Sequence, residues 1–407
     1  MAGYNALSLI GNALKEVFED GVTDLVTADH YMLQTVEKAD PREFDGGHRL
    51  EWLVDIKPNT SLQIGDLDGT VLPTPGRREQ IRALTRSVVY MGSTSVTQES
   101  IDVAKGGPAS FFRVVEKAKD EVLTDLRTPL SAGLYRPLRY SVLADSTGTT
   151  LTLSDVQYLR VGDKIIVGNR TTGASPVTRT IVSKNITAKT VVVDAATTVT
   201  AAASGIWYPG AGPADTRLLN SLDLAASVDR TLHGIDSTTY DVWDGNETSL
   251  SNTAADESDF IKLINRIWER GEKVAHGLTT SQIQTDVASG FQSQKRFVDA
   301  QSVQLKGGFK GLVLSTPNGD VPLVSERGVP KGRAYVYANK AFRMYKGEQR
   351  WESTPDGGDS IWRWVRNGDG DAMSEYAATY SIRMNLLFEK PRGVGRLTNV
   401  LDGDPVE

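Results

Sequence analysis

Between residues 376 and 388 every second position is apolar: Tyr376, Ala378, Tyr380, Ile382, Met384, Leu386 and Phe388. The intervening positions are mostly small or polar. This period of two is the pattern of a β-strand with one buried face. At ~3.3 Å per residue the strand would span roughly 40 Å, far beyond the usual length of about 5–6 residues. A long, one-sided strand predicts a flat, extended sheet that needs a cover. The stretch 108–127 offers one. Phe111, Val115, Ala118, Val122 and Leu126 recur at helical spacing, widened by Phe112 and Leu123. Pro108 suits the first turn of that helix, and Pro129 predicts its end.

The same reading divides the rest of the chain. Residues 1–46 open with an amphipathic helix through Leu7, Ile10, Leu14, Val17 and Phe18. Residues 47–98 read as a long hairpin. Leu50, Trp52, Val54 and Ile56 share one face of its outgoing arm, and the return arm runs over 81–90. The stretch between them is rich in Gly, Pro, Asp and Thr, which marks a loop. A two-stranded ribbon does not hold itself up in water, so a neighbouring subunit is the expected support. After 99–139, which carries the long helix, residues 140–209 become dense in Thr and Val. Short strands separated by Gly, Asn and Asp turns predict a small all-β module inserted into a larger domain, as a binding unit or a stabilising one.

Residues 210–306 return to helices. One is expected over 215–232 through Leu218, Leu222, Ala225 and Leu232. A second places Phe260, Ile264, Ile267 and Trp268 on one face behind Asp256 and Ser258 as caps. In a third, Thr279 and Gln282 form a capping box ahead of Ile283, Val287, Phe291 and Val298. Residues 307–407 are strand-rich: "GLVLST", "VPLVSE" and "RAYVYA" follow one another across tight turns before the long strand.

Composition narrows the function. The 407 residues suffice for two or three core-bearing units. The absence of cysteine excludes disulfides and thiolate metal sites. A net charge of −6 argues against a protein whose main task is gripping nucleic-acid phosphates. No apolar run is long enough to span a bilayer, and Glu16, Glu19 and Asp20 are foreign to a signal peptide.

Catalytic signatures are missing. There is no G-x-S-x-G elbow, and the dipeptide Gly-Lys of a P-loop does not occur. The histidines His30, His48, His233 and His276 are scattered and read as surface or capping residues. Asn367, Asp369 and Asp371 imitate the start of a calcium loop. Ala372 and Ala378 then replace the glycine and the bidentate glutamate that such a loop requires. No enzyme activity, cofactor or metal is expected. One charge cluster stands out: Arg77, Arg78, Arg82 and Arg86 follow the hairpin tip. Arginine favours bidentate carboxylate contacts, which suggests docking on an acidic surface of a partner.

The order of parts resembles the major capsid protein of tailed double-stranded DNA bacteriophages, a fold also found in herpesvirus capsid floors and encapsulin shells. The resemblance rests on the hairpin over 47–90 (the family's extended loop) and the helix over 108–127 (its spine helix). It rests also on "GDVPLVSERGVPKGRAYVYANKAFRMY", on the closing "YAATYSIRMNLLFEKPRGVGRL", and on "HGIDSTTYDVWDG" in the axial region. It implies an α+β capsid fold with N-terminal arm (1–46), extended loop (47–98), peripheral domain (99–139 and 307–407) and axial domain (210–306), the 140–209 module being additional. Copies would tile as hexamers and pentamers into an icosahedral shell around double-stranded DNA, in a virion assembled in the host bacterial cytoplasm. Trp52, Leu62, Ile64 and the four arginines would contact other copies. The short stretch before the hairpin implies a separate scaffolding protein, alongside a portal and possible decoration proteins. The hairpin tip contains no lysine, so cross-linking through it is not expected. An encapsulin shell and a tail or adhesion protein are the competing readings.

Overall fold

The computed structural model describes residues 30–39, 49–57, 61, 76–97, 108–201, 203–210, 218–294, 312–352, 363–366 and 372–402, with backbone alone at 108–119, 291–294, 348, 366 and 372. The expected first helix, the hairpin tip, His48 and the calcium-loop mimic's Asn367, Asp369 and Asp371 lie outside these residues. So do the side chains of Phe111, Phe112, Val115, Ala118 and Phe291, and all of Val298.

In chain order, α1 (Tyr31–Thr35) and β1 (Glu37–Ala39) precede the ribbon strands β2 (Arg49–Lys57) and β3 (Glu79–Arg86), then β4 (Val88–Thr97) and the long helix α2 (Pro108–Tyr135). Six short strands follow: β5 (Arg139–Ser141), β6 (Thr150–Thr152), β7 (Lys164–Asn169), β8 (Val177–Asn185), β9 (Thr190–Val193) and β10 (Ser204–Trp207). Next come α3 (Leu222–Ala226), β11 (Thr231–Leu232), β12 (Ile235–Asp236), β13 (Asn246–Thr253), α4 (Glu257–Glu269), β14 (Val274–Thr279) and α5 (Ser281–Gln294). The remaining strands are β15 (Leu312–Thr316), β16 (Gly319–Ser325), β17 (Ala334–Ala338), β18 (Phe342–Trp351), β19 (Arg363–Arg366), β20 (Ala372–Phe388) and β21 (Val394–Val400).

The alternating stretch is β20, and at 17 residues it is longer than the pattern predicts. Its length has a pairing reason. β4 runs along one side of it, while β18 and β19 lie one after the other along its opposite side, and β1 adds to β18 in parallel. Ala378, Tyr380, Ile382, Met384, Leu386 and Phe388 are all buried, in one core with Val122, Leu123, Leu126 and Leu130 of α2. The helix presses closely on β4 at Gly92, where an added Cβ would meet Val122 Cγ1 at 2.9 Å and Leu126 Cγ at 3.0 Å.

A second sheet has the order β13-β21-β17-β14-β16-β15. Helices α4 and α5 pack on it through Phe260, Leu263, Ile264, Ile267, Ile283 and Val287. Its strands come from both sides of position 306. The expected division between an axial 210–306 and a peripheral 307–407 therefore does not follow the sheets: 312–338 and 394–400 pair with 246–279.

The third unit spans β5 to β10, in the order β5-β10-β7-β8-β9-β6. It closes on itself, because Leu143 N–H donates to Thr152 O (2.8 Å) and Ser154 N–H to Ser141 O (2.9 Å) where β5 and β6 run out. The result is a small barrel filled by Leu151, Leu153, Ile165, Val167, Ile181 and Ile206.

Several local expectations change. The long helix does not stop before Pro129 but continues to Tyr135. An interior proline costs ~3 kcal/mol. The last turn buries Leu130, Leu134 and Tyr135 completely, at roughly 1.5–3 kcal/mol per large apolar side chain, which outweighs that cost. The hairpin's return arm ends at Arg86, and 88–97 belongs to the main sheet. Over 215–232 the described helix is only Leu222–Ala226, capped by Ser221. Asp256 does cap α4, in a reciprocal box with Asp259, but Leu263 takes the buried place expected for Trp268, which is half exposed. Thr279 lies in β14, and Thr280 accepts the Ile283 N–H at the start of α5.

The tight helix–strand approach makes a direct prediction. Gly92→Val should lower unfolding stability by about 1–3 kcal/mol, as overpacking does, measured by urea denaturation. An unchanged midpoint would mean that α2 does not press on β4.

Candidate intersubunit surface

The ribbon β2–β3 has two unlike faces. Leu50, Trp52 and Val54 stand opposite Thr85, Ala83 and Ile81 on the inner face. Ile56 and Ala83 are buried in the main core, with Trp52, Val54 and Ile81 packed against it. The described part of the ribbon is thus packed on its own chain, while the tip lies outside the described residues. The reason lies at His233, a residue held at φ +55° in the tight β11–β12 turn. Its carbonyl accepts the Leu84 N–H (2.8 Å), its Nε2 accepts the Phe388 N–H (3.1 Å), and its ring lies edge-on to Trp52 at 5.0 Å. Asn385 completes the anchor, donating to Arg86 O (2.6 Å) and Thr85 Oγ1 (3.3 Å). The end of β20 thereby fixes the bend where ribbon becomes sheet.

The outer face is charged. Arg78 pairs with Asp55 (2.8 Å), Arg82 with Glu51 (3.0 Å) and Lys57 with Glu79 (2.6 Å). Such exposed pairs contribute about 0–1 kcal/mol each. They do remove two of the four arginines from any freely available basic patch. Arg77 and Arg86 are exposed and have no acidic partner among the described residues. Among these charges Leu53 stands 63% exposed, an apolar point in a polar frame. Trp52 faces inward, and Leu62 and Ile64 lie outside the described residues.

The three described histidines are not surface residues. His30 and His233 are buried and His276 is half-buried. His30 joins Glu326 Oε1 through Nδ1 (2.6 Å) and Ser131 Oγ through Nε2 (2.7 Å). The order serine–histidine–carboxylate is that of an acyl-transfer relay, but the loop after β16 closes over it. A Cβ on Gly328 would stand 2.9 Å from His30 Cε1 and 2.4 Å from Tyr135 Cε2. Tyr158 of the barrel donates to Gly328 O (2.7 Å). The trio ties the start of α1, the last turn of α2, the second sheet and the barrel together. His276 Nδ1 meets Tyr31 OH at 2.8 Å in the same region. Sequence reasoning had no signal for this, since partners separated by 296 and 101 positions leave no local pattern.

A buried ion network holds α3 to the second sheet. Asp223 accepts from Arg333 and from Arg396 (2.6 Å), and Arg396 also reaches Glu247 (2.7 Å). Burial alone would raise the Asp223 carboxyl, but the two guanidiniums overcome it and hold the group below the ordinary carboxylate range. Among the described residues no cluster of three His, Asp or Glu side chains could hold a metal ion, and no described helix is long and apolar enough to cross a membrane.

This architecture has counterparts among solved structures. A chain of the cyanophage A-1(L) capsid asymmetric unit superposes with a TM-score of 0.50 at 11% identity, over 90% of each chain. The chain has the tailed-phage capsid fold. Mycobacterium phage Patience matches at 11% identity and a TM-score of 0.45, over 97% of this chain and 90% of its own. The holo-SrpI encapsulin complex from Synechococcus elongatus matches at 11% identity and 0.41, over 93% and 90%. No family model and no curated protein matches the sequence. Within the capsid fold, the arm-side residue His30, the extended ribbon, the long helix and β20 occupy one continuous body, and the barrel is added to it through Arg136–Asp155 (2.8 Å) and Arg160–Asp125 (2.6 Å).

The His233 anchor is sensitive to acid. Burial, with the Arg230 charge adding to it, pushes this imidazole down to about 3 from the ordinary 6.5. The unfolded chain therefore binds a proton that the folded one refuses between about pH 6.5 and 3. The anchor's contribution is complete above the upper value and drains as pH falls towards the lower, by up to about 1.4 kcal/mol per pH unit. Stability of the wild type should fall between pH 6.5 and 4 more steeply than that of His233→Gln, by urea titration at each pH. Equal slopes would show that His233 is not held neutral.

Proposed function

We propose that this protein is a major capsid protein. Copies assemble as hexamers and pentamers into an icosahedral shell that encloses packaged double-stranded DNA. The observation that carries the reading is the superposition with a cyanophage capsid chain over nine-tenths of both chains. The physical features agree with it. The molecule has an extended sheet, a ribbon whose charged outer face is exposed, and a net charge of −6 that suits a container better than a DNA-gripping protein. Each copy would touch several others through unlike patches, and such contacts close into rings. Arg77 and Arg86, which have no acidic partner among the described residues, dock on acidic surfaces of neighbouring copies, with Leu62 and Ile64 on the hairpin tip, while Arg78 and Arg82 hold Asp55 and Glu51 within the ribbon. Trp52 serves these contacts from behind, by fixing the ribbon. A separate scaffolding protein, a portal and decoration proteins are the further partners this role calls for, and the virion assembled in the bacterial cytoplasm is its place. The reading assigns no catalytic step.

Expression followed by electron microscopy tests the proposal. Closed shells, or rings of five and six subunits, are expected, with nuclease-protected DNA in the particles formed during infection. Shells filled with protein cargo and no DNA would replace it by an encapsulin-type compartment. A monodisperse monomer under every assembly condition, with scaffolding candidates present, would end it. In the double variant Arg77→Glu and Arg86→Glu, particle yield should drop at least tenfold while circular dichroism stays that of the wild type. Unchanged yield would remove the arginines from the interface.

A further inference from the structure

Arg230 is a buried charge with no counter-ion in contact among the described residues. It immediately precedes β11 and is 8% exposed. Its Nη2 donates to Ala225 O of α3 (2.6 Å), but Nε and Nη1 are buried and have no partner among the described residues. Buried donors are nearly always bonded, and orphaned ones point to a ligand or a water that completes them. The nearby carboxylates are engaged elsewhere. Asp244 is close enough to act on the Arg230 charge, yet no hydrogen bond joins the two side chains, and Asp244 Oδ1 accepts the Asp229 N–H (3.2 Å). Asp223 is taken by Arg333 and Arg396. Arg396 also reaches the backbone of α3, donating to Asp223 O (3.0 Å), and its own Nε is buried without a partner among the described residues. Two guanidiniums thus crowd one short helix, each with N–H groups left over.

Water would satisfy such donors without answering the charge. Burial, with the Arg396 charge adding to it, pushes the Arg230 guanidinium down to about 10, although Asp244 pulls the other way. A desolvated cation with a second cation beside it calls for a negative partner. Ser237 adds an O–H donor: its Oγ accepts the Arg230 backbone N–H (2.8 Å), which leaves its hydroxyl proton to give. Donors without an acceptor, at a place with almost no exposure, fit a small inorganic anion. We infer that a chloride-sized anion binds at Arg230 Nε and Nη1, against the start of β11, with Arg396 adding to its attraction. The site has a mechanical consequence. Arg230 and Ser237 close the base of the β11–β12 turn, since Ser237 N–H also donates to Arg230 O (2.9 Å). The same turn carries His233, which receives the Leu84 and Phe388 N–H groups. The anion therefore steadies the turn that anchors the ribbon.

Stability measurements on the full chain test the site. Thermal unfolding is followed in sodium chloride and in sodium gluconate at equal ionic strength and pH. A ligand held only by the folded state raises the midpoint saturably, by about 2 °C at tenfold excess over its dissociation constant for a chain of this size. The wild type should show that rise on moving from gluconate to chloride, and bromide should reproduce it. Arg230→Met removes the buried charge and keeps much of the bulk, so it should fold and show no difference between the salts. Crystals grown with bromide give a second readout, in which an anomalous peak is expected in contact with Arg230 Nε or Nη1. Equal wild-type midpoints in the two salts, an equal chloride effect in Arg230→Met, or water alone at Arg230 in the bromide crystals would overturn the site. If Arg230→Met does not fold, the wild-type salt comparison and the crystals decide. None of these outcomes bears on the shell reading.

Discussion

The C-terminal half of β20 is the constraint on which the other parts depend. Its Asn385 side chain fixes the bend between β3 and β4, its Phe388 N–H is received by His233, and its apolar face is the floor on which α2 lies. These contacts are short-ranged and directional. If the strand shifted by one residue, every side chain would change face, and the apolar face, the ribbon anchor and the helix contact would be lost together. The bulge in its pairing with β18, between Lys346 and Gln349, takes up the register difference on the partner strand and leaves β20 itself unbroken. The pairing of β20 with β19 also shifts register, between Trp364 and Arg366.

Beside the sheet built on this strand, the second sheet and the barrel have cores of their own. They are joined to it by apolar contacts, Leu278, Val324, Tyr335, Tyr337 and Val394 of the second sheet lying in the main core and Tyr158 of the barrel packing with Ala132 and Leu138, and by polar ones: the His30–Glu326–Ser131 tie, the Asp223 network, and the arginine–aspartate pairs at the barrel base. Removing one partner from a buried polar tie costs more than the tie itself contributes, because the remaining group stays desolvated. Glu326 illustrates the tension, since its Oε2 is buried without a partner while Oε1 holds His30. The relative placement of the units is thus fixed by polar ties added to a shared apolar core.

How much of this was legible in the sequence follows from the range of each interaction. β20, the ribbon's inner face and the barrel strands were readable because burial on one face writes a period of two directly into neighbouring residues. The long helix was readable for the same reason, at period 3.6. Its end was not. Pro129 is a local stop signal, overruled by the burial of Tyr135 and Leu134, whose partners are far away in the chain. Trp268 misled in the opposite sense, being apolar and correctly spaced yet half exposed. The described histidines looked idle because each is paired with a residue at least a hundred positions away or with a backbone group. The arginine cluster was visible as a cluster, but the acids that neutralise Arg78 and Arg82 sit across the ribbon, where only the strand register reveals them.

The barrel has a property that follows from its closure. Tyr140 of its first strand is directly opposite Ile206 of its last, so the chain departs from the body of the molecule and rejoins it at nearly the same point. A segment of some seventy residues could therefore be gained or lost in one genetic event without separating the ends it interrupts. The host fold need only keep a gap about one strand spacing wide. Such a unit is free to diverge at its own pace, and its Thr-rich outer turns could be rewritten or exchanged for foreign peptide with little consequence for the body beneath.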